Sequence, residues 1–137
     1  MPGPLPGCAP GASSRPVAAS SFPGGFLEGV RHFNSGRFFE AHEAFEELLD
    51  AVESDERWDL LLGLVQVAVG YHKGASGHLG ATRMLGLGAE KLAAFPPVAW
   101  GVDVESLRRR VAEDLAAAKG GALAARLAAA PPRIRLA

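Results

Sequence analysis

A single cysteine, Cys8, occurs in 137 residues. One thiol cannot form an intrachain disulfide, which suits a reducing compartment, and a cytoplasmic location is expected. Long apolar runs are also missing. The longest, "LLLGLVQVAVGY" at residues 60–71, contains Gln66 and falls short of the roughly 18 residues a membrane span needs. The N-terminus lacks a basic start followed by an apolar block, so neither a secretory signal nor membrane insertion is expected. An excess of charge of one sign is absent too: 14 Lys and Arg face 15 Asp and Glu, a net charge of −1. That gives no global basic field to draw in nucleic acid and no acidic solvating tail. No segment alternates convincingly enough to be a strand.

What is present is a soluble globular composition, with 48% hydrophobic and 21% charged residues, enough for one domain with a real core. Residues 1–21 hold five prolines and three glycines and read as a disordered Pro/Gly/Ala-rich leader. Residues 22–120 read as a helical-bundle domain, and 121–137 as an Ala-rich flexible tail with a weak helical start. The fold class is therefore all-α, a compact bundle of four to five helices, open to a reading as two stacked helical hairpins.

The first helix runs from Phe26 to about Phe33 and ends at the turn Asn34-Ser35-Gly36. A second spans about Arg37 to Val52. A third, capped by Ser54 or Asp55, runs to about Gly74. Ser76-Gly77 turns into a fourth, about His78 to Ala94, which Pro96-Pro97 closes. Asp103 is the expected N-cap of a fifth, about Val104 to Lys119, stopped by Gly120-Gly121. On a wheel of about 100° per residue, Phe38, Ala41, Phe45, Leu48, Leu49 and Val52 share one face of the second helix. The third helix is apolar nearly all round. It is either the central helix of a bundle or the seat of a homo-oligomer contact. Gly63 and Gly70 lie on one strip, where small residues let another helix approach, and Gln66 on that strip then needs a partner.

His42, Glu43 and Glu46 form an H-E-x-x-E motif on the second helix. His42 and Glu46, four apart, stack on the same side. They can form a hydrogen-bonded pair acting as general acid or base. They can supply two metal ligands with Glu43 as base. Or they can be a satisfied polar pair at the edge of the core, the default for this spacing. A divalent metal on His42 and Glu46 is not favoured, because the second histidine of H-E-x-x-H is missing and a third ligand must come from elsewhere. His72 lies on an apolar side of the third helix, about 120° from Gln66, so the two reach one spot only across a shared cleft. His78 and Gly80 stand near amides that suit an anion, though a plain helix start is preferred. His32 reads as solvated, Trp58 and Trp100 as packing anchors. Arg108-Arg109-Arg110 reads as a solvated charge run, with a phosphate patch as the sharper alternative.

"FNSGRFFEAHEAFEELL" and "LLLGLVQVAVGYHKGASGHLGATRML" resemble a family of small all-helical proteins, domain of unknown function 309. Its pattern F-N-x-G-x-F-F-E-A-H-E-x-x-E falls on Phe33, Asn34, Gly36, Phe38, Phe39, Glu40, Ala41, His42, Glu43 and Glu46. A G-L-I-Q-x-A block, a histidine and a G-N-x-x-G-A turn follow, on Gly63, Leu64, Gln66, Ala68, His72, Gly77, Gly80 and Ala81. A later Gly-x-Asp segment matches "GVDVESL", and the resemblance covers about Phe26 to Ala118. Two positions depart from it: a tryptophan common near Leu49 is absent, and His78 replaces the turn asparagine. The resemblance implies a compact helical bundle in a bacterial or plastid setting and no reaction. It also implies that His42, Glu43, Glu46, Gln66 and His72 belong to a site.

Two functions follow as expectations. The first is a binding module for a small ligand or a protein segment, with Phe39, Gln66 and His72 lining a polar cleft beside aromatic side chains. The second is a hydrolase with His42, Glu43 and Glu46 as its catalytic groups.

Overall fold

The computed structural model describes residues 22–53 and 55–137. The leader, read as disordered, and Ser54, one of the two cap candidates, lie outside the described residues. Among the described residues six α-helices, one 3-10 helix and a minimal hairpin follow one another: α1 (Phe26–Asn34), α2 (Phe38–Glu47), a short 3-10 helix (Leu49–Val52), α3 (Arg57–Ala75), α4 (Ala81–Ala93), β1 (Val98–Ala99), β2 (Val102–Asp103), α5 (Val104–Lys119) and α6 (Leu123–Ala129).

The local rules placed most of these elements. Phe26, Val30 and Phe33 form the buried stripe of α1, and Phe38, Ala41 and Phe45 that of α2. Gly36 and Gly77 both take positive φ, 80° and 73°, at the two turns. Asp103 caps α5: its Oδ1 accepts from the Ser106 amide at 3.0 Å and its Oδ2 from the Ser106 hydroxyl at 2.8 Å. The N-cap of α3 is Glu56 rather than Asp55, although Asp55 Oδ1, one residue earlier, accepts from the Arg57 amide at 2.7 Å.

Three expectations are corrected. The second helix does not run as α-helix to Val52: it ends at Glu47 and tightens into the 3-10 helix, keeping Leu48 and Val52 buried. The fourth begins at Ala81 rather than His78, because His78 Nδ1 accepts the Gly80 amide at 2.9 Å and holds that turn outside the helix. The tail at 121–137 folds back on the bundle. Leu123 and Leu127 of α6 are buried, and so is Ile134 beyond it. The apolar residues of an Ala-rich segment suffice to dock it once a bundle surface is there to receive them. The hairpin adds the little extended structure present. It pairs Val98 with Asp103 and Ala99 with Val102, and Trp100 at its corner has φ 47°.

α3 lies at the centre. It packs most extensively on α4, then on α2, and also touches α6 and the 3-10 helix. Most of its apolar circumference is buried within the chain, as for the central helix of a bundle, while Trp58, Leu62 and Val69 stay partly exposed. An aromatic group fills the α1–α2–α3 junction, with Phe33 centred 5.2 Å from Phe38 and 5.8 Å from Tyr71. Each such side chain contributes about 1.5–3 kcal/mol by its burial.

The close approach anticipated at the glycine strip is present between α3 and α4. A Cβ added at Gly88 would lie 2.5 Å from Val67 Cγ2 and 3.1 Å from the Val67 backbone nitrogen. One added at Gly70 would lie 2.7 Å from the Leu85 side chain. This contact sets how tightly the two helices cross, and so the width of the groove beside it.

Asn34 does more than turn the chain. Its Nδ2 donates to the Ile134 carbonyl at 3.0 Å, and its Oδ1 accepts from the Ile134 amide at 2.7 Å. The α1–α2 turn thereby clamps the end of the chain.

Candidate functional site

The residues singled out in the sequence divide among three places. On the outer face of α2 and α3, Phe39 sits between two imidazoles, its ring 5.1 Å from that of His42 and 5.4 Å from that of His72. Phe39 is 45% exposed, large for a phenylalanine, and His72 is exposed as well. His72 is therefore not the core histidine that its apolar neighbours suggested: Tyr71 and Gly74 beside it are buried, while His72 lies on the uncovered side of the last turns of α3. His42 Nδ1 bonds the Phe39 carbonyl oxygen at 2.9 Å, and its Nε2 lies 3.8 Å from Glu46 Oε1. At that distance His42 and Glu46 make a loose polar contact at the surface, worth at most about 0–1 kcal/mol. Among the described residues no three His, Cys, Asp or Glu side chains are grouped to hold a metal ion. His42 and Glu46 acquire no third ligand.

Glu43 faces elsewhere. With Glu28, His32, Glu40 and Glu47 it lines a 300 Å³ depression between α1 and α2. His32 is not simply solvated: Nδ1 accepts from Arg37 Nε at 3.2 Å, and Nε2 is 3.9 Å from Glu28.

Gln66 is in a third place. Asp59, Leu62 and Gln66 of α3 face Leu87, Glu90, Lys91 and Ala94 across a 610 Å³ groove that Glu56 and Phe95 also line. The volume is that of a small-molecule site. Its floor is apolar and its rim carries three carboxylates and Lys91, whose Nζ is 3.6 Å from Asp59 Oδ1. The Gln66 residue is partly exposed, yet its Oε1 is buried and has no hydrogen-bond partner among the described residues. A buried amide oxygen left unpaired costs about 1–3 kcal/mol, which a ligand donor can recover. The expected cleft joining His42, Glu43, Glu46, Gln66 and His72 is therefore not a single site.

The chain's one buried charged residue among those described went unnoticed in the sequence. Asp114 is fully buried. It accepts from Tyr71 Oη at 2.6 Å, Arg110 Nε at 2.7 Å and Arg126 Nε at 2.8 Å. Burial, and then the bond to this carboxylate, push the Tyr71 phenol far above its ordinary range. Arg110 also donates to the Ala130 carbonyl, so the network ties α3, α5 and α6 together. A signal existed: Asp114 follows Leu107 and Val111 at the spacing of the buried stripe of α5. The arginine run is accordingly not one solvated face. Arg108 and Arg109 pair with Glu105, whose carboxyl they hold below its usual range, while Arg110 turns inward. His78 spends its ring on the Gly80 amide, so that turn offers an anion less than the sequence suggested.

Fold and groove define a small, mostly helical protein with a cavity of ligand size along its central helix pair. Within that class, residues 26–85 match the family model of a domain of unknown function, DUF309. The match takes in both sequence blocks and ends in α4, short of the "GVDVESL" segment. No curated protein matches the sequence. No described helix is long and apolar enough to cross a membrane.

Proposed function

We propose that this protein is a binding module that holds a small ligand in the α3–α4 groove. The observation that carries the reading is Gln66, which lines that cavity and whose buried Oε1 has no partner among the described residues. An orphaned acceptor beside apolar Leu62, Leu87 and Phe95, under a rim carrying Glu56, Asp59 and Glu90, suits a ligand with an apolar body and a positively charged N–H donor. Gln66 orients the ligand, the apolar floor supplies the burial, and the carboxylates balance the charge. The hydrolase alternative at His42, Glu43 and Glu46 has less support, since Glu43 lines a depression that neither His42 nor Glu46 lines, and the part-buried His42 has only the exposed Glu46 as a carboxylate neighbour.

Phenethylamine, an ammonium group on a phenyl ring, is a suitable first probe. Titrated into labelled protein and followed by amide NMR, it is expected to shift Leu62, Gln66, Leu87 and Phe95 saturably. Gln66→Leu is expected to abolish those shifts while leaving the fold intact. Shifts scattered over the surface, or equal in Gln66→Leu, would overturn the reading. Hydrolysis of generic ester or phosphoester substrates that disappears in His42→Ala would favour the enzyme instead.

A further inference from the structure

The terminal segment builds a second and differently charged cavity. Ser106 and Arg110 of α5, with Pro131, Arg133 and Arg135 of the terminal segment, enclose 220 Å³. Three guanidinium groups and no carboxylate line it. The arrangement follows from backbone geometry. In an extended chain, residues two apart point to the same side. Ile134 points inward and is buried, so Arg133 and Arg135 both point outward, over Arg110.

The segment is held in place rather than draped. Asn34 grips Ile134 through two hydrogen bonds. The Asp103 amide donates to the Arg135 carbonyl at 2.9 Å, and the Ala137 amide to the Gly101 carbonyl at 2.7 Å. Pro131-Pro132 restricts the approach from α6. The arginines thus sit on a fixed backbone, which lowers the ordering cost of binding. Two carboxylates are near. Asp103 takes both the amide and the hydroxyl hydrogen of Ser106, and Asp114 holds Arg110 from behind. Asp114 orients the Arg110 guanidinium, which keeps further N–H groups for a ligand. Arg133 and Arg135 have no carboxylate within salt-bridge distance among the described residues.

We propose that this cavity binds a phosphate group, as the free ion or as the monoester of a small molecule. Guanidinium forks match the paired oxygens of a phosphate, and three of them around one small cavity place opposing charge on several sides of it. The residues lie beyond the DUF309 match at 26–85, so the site belongs to this chain's own C-terminal part. It is independent of the α3–α4 groove, and either can fail without the other.

The test is amide and arginine side-chain NMR with inorganic phosphate and with phenyl phosphate, against chloride at equal ionic strength. Expected are saturable shifts at Ser106, Arg110, Arg133 and Arg135 with phosphate and not with chloride. Tighter binding of phenyl phosphate would identify a monoester as the ligand, equal binding the free ion. The double variant Arg133→Ala/Arg135→Ala changes two exposed side chains and is expected to weaken binding by about tenfold or more, as the loss of charged hydrogen bonds does. Arg133→Lys/Arg135→Lys keeps the charge, loses the fork, and is expected to fall between the two. Shifts that chloride reproduces, or that persist unchanged in the alanine variant, would overturn the proposal.

Discussion

Asp114→Ala is the most informative single perturbation of this fold. It removes a fully buried carboxylate and its bonds of 2.6, 2.7 and 2.8 Å to Tyr71, Arg110 and Arg126. The Tyr71 hydroxyl is left buried and unpaired, a cost of about 1–3 kcal/mol. The two arginines lose less than a deep charge would, since their side chains are 23% and 40% exposed and can turn to water. Taken with the range for breaking a buried ion pair, the expected loss is about 3–4 kcal/mol. Against a domain stability of about 5–15 kcal/mol the variant still folds, with Tm lower by on the order of 10–15 °C. Urea unfolding followed by far-ultraviolet circular dichroism measures this directly. Tyr71→Phe alone is expected to cost about 1–2 kcal/mol, and much less when Asp114 is already Ala, because the two share one bond. A loss below about 1 kcal/mol for Asp114→Ala, or full additivity of the two variants, would refute the view that this carboxylate ties α3, α5 and α6 together.

Tyr71 is the only tyrosine, so phenolate absorbance reports on this network alone. The folded state holds its proton above the ordinary value of 10.0, so the phenol's contribution is complete below that pH and declines above it. Phenolate is expected to appear together with loss of helical signal, and a reversible titration near the ordinary value in folded protein would contradict the structure. Gly88→Ala is expected to destabilise by about 1–3 kcal/mol through overpacking against Val67. Gly86→Ala, which meets open space two residues earlier in the same helix, should be neutral or gain up to about 1 kcal/mol, and thermal melts of the pair test that contrast. Asn34→Ala is expected to raise hydrogen exchange at residues 133–136, leave exchange in α3 unchanged, and cost about 1–2 kcal/mol. Uniform loss of protection across the protein would show that the clamp is not local.

The sequence alone determined the local order of this protein. Helical spacing, the turns at Gly36 and Gly77, the Asp103 cap and the close-packing strip of Gly63 and Gly70 were all legible, because each depends on neighbours within a turn or two. Periodicity fixes where a side chain sits around its own helix and says nothing of which neighbour covers it. That is why the one cleft drawn from His42, Glu43, Glu46, Gln66 and His72 separates into three places once α1, α3 and α4 take their positions around α2. It is also why the tail read as flexible: the partner that holds Ile134 is Asn34, 100 residues away. Asp114 looked like one more acid on an amphipathic helix until α3 and α6 brought a hydroxyl and a guanidinium to it. Tertiary structure decided what meets what, since burial and charge pairing act through space while the sequence records only order along the chain.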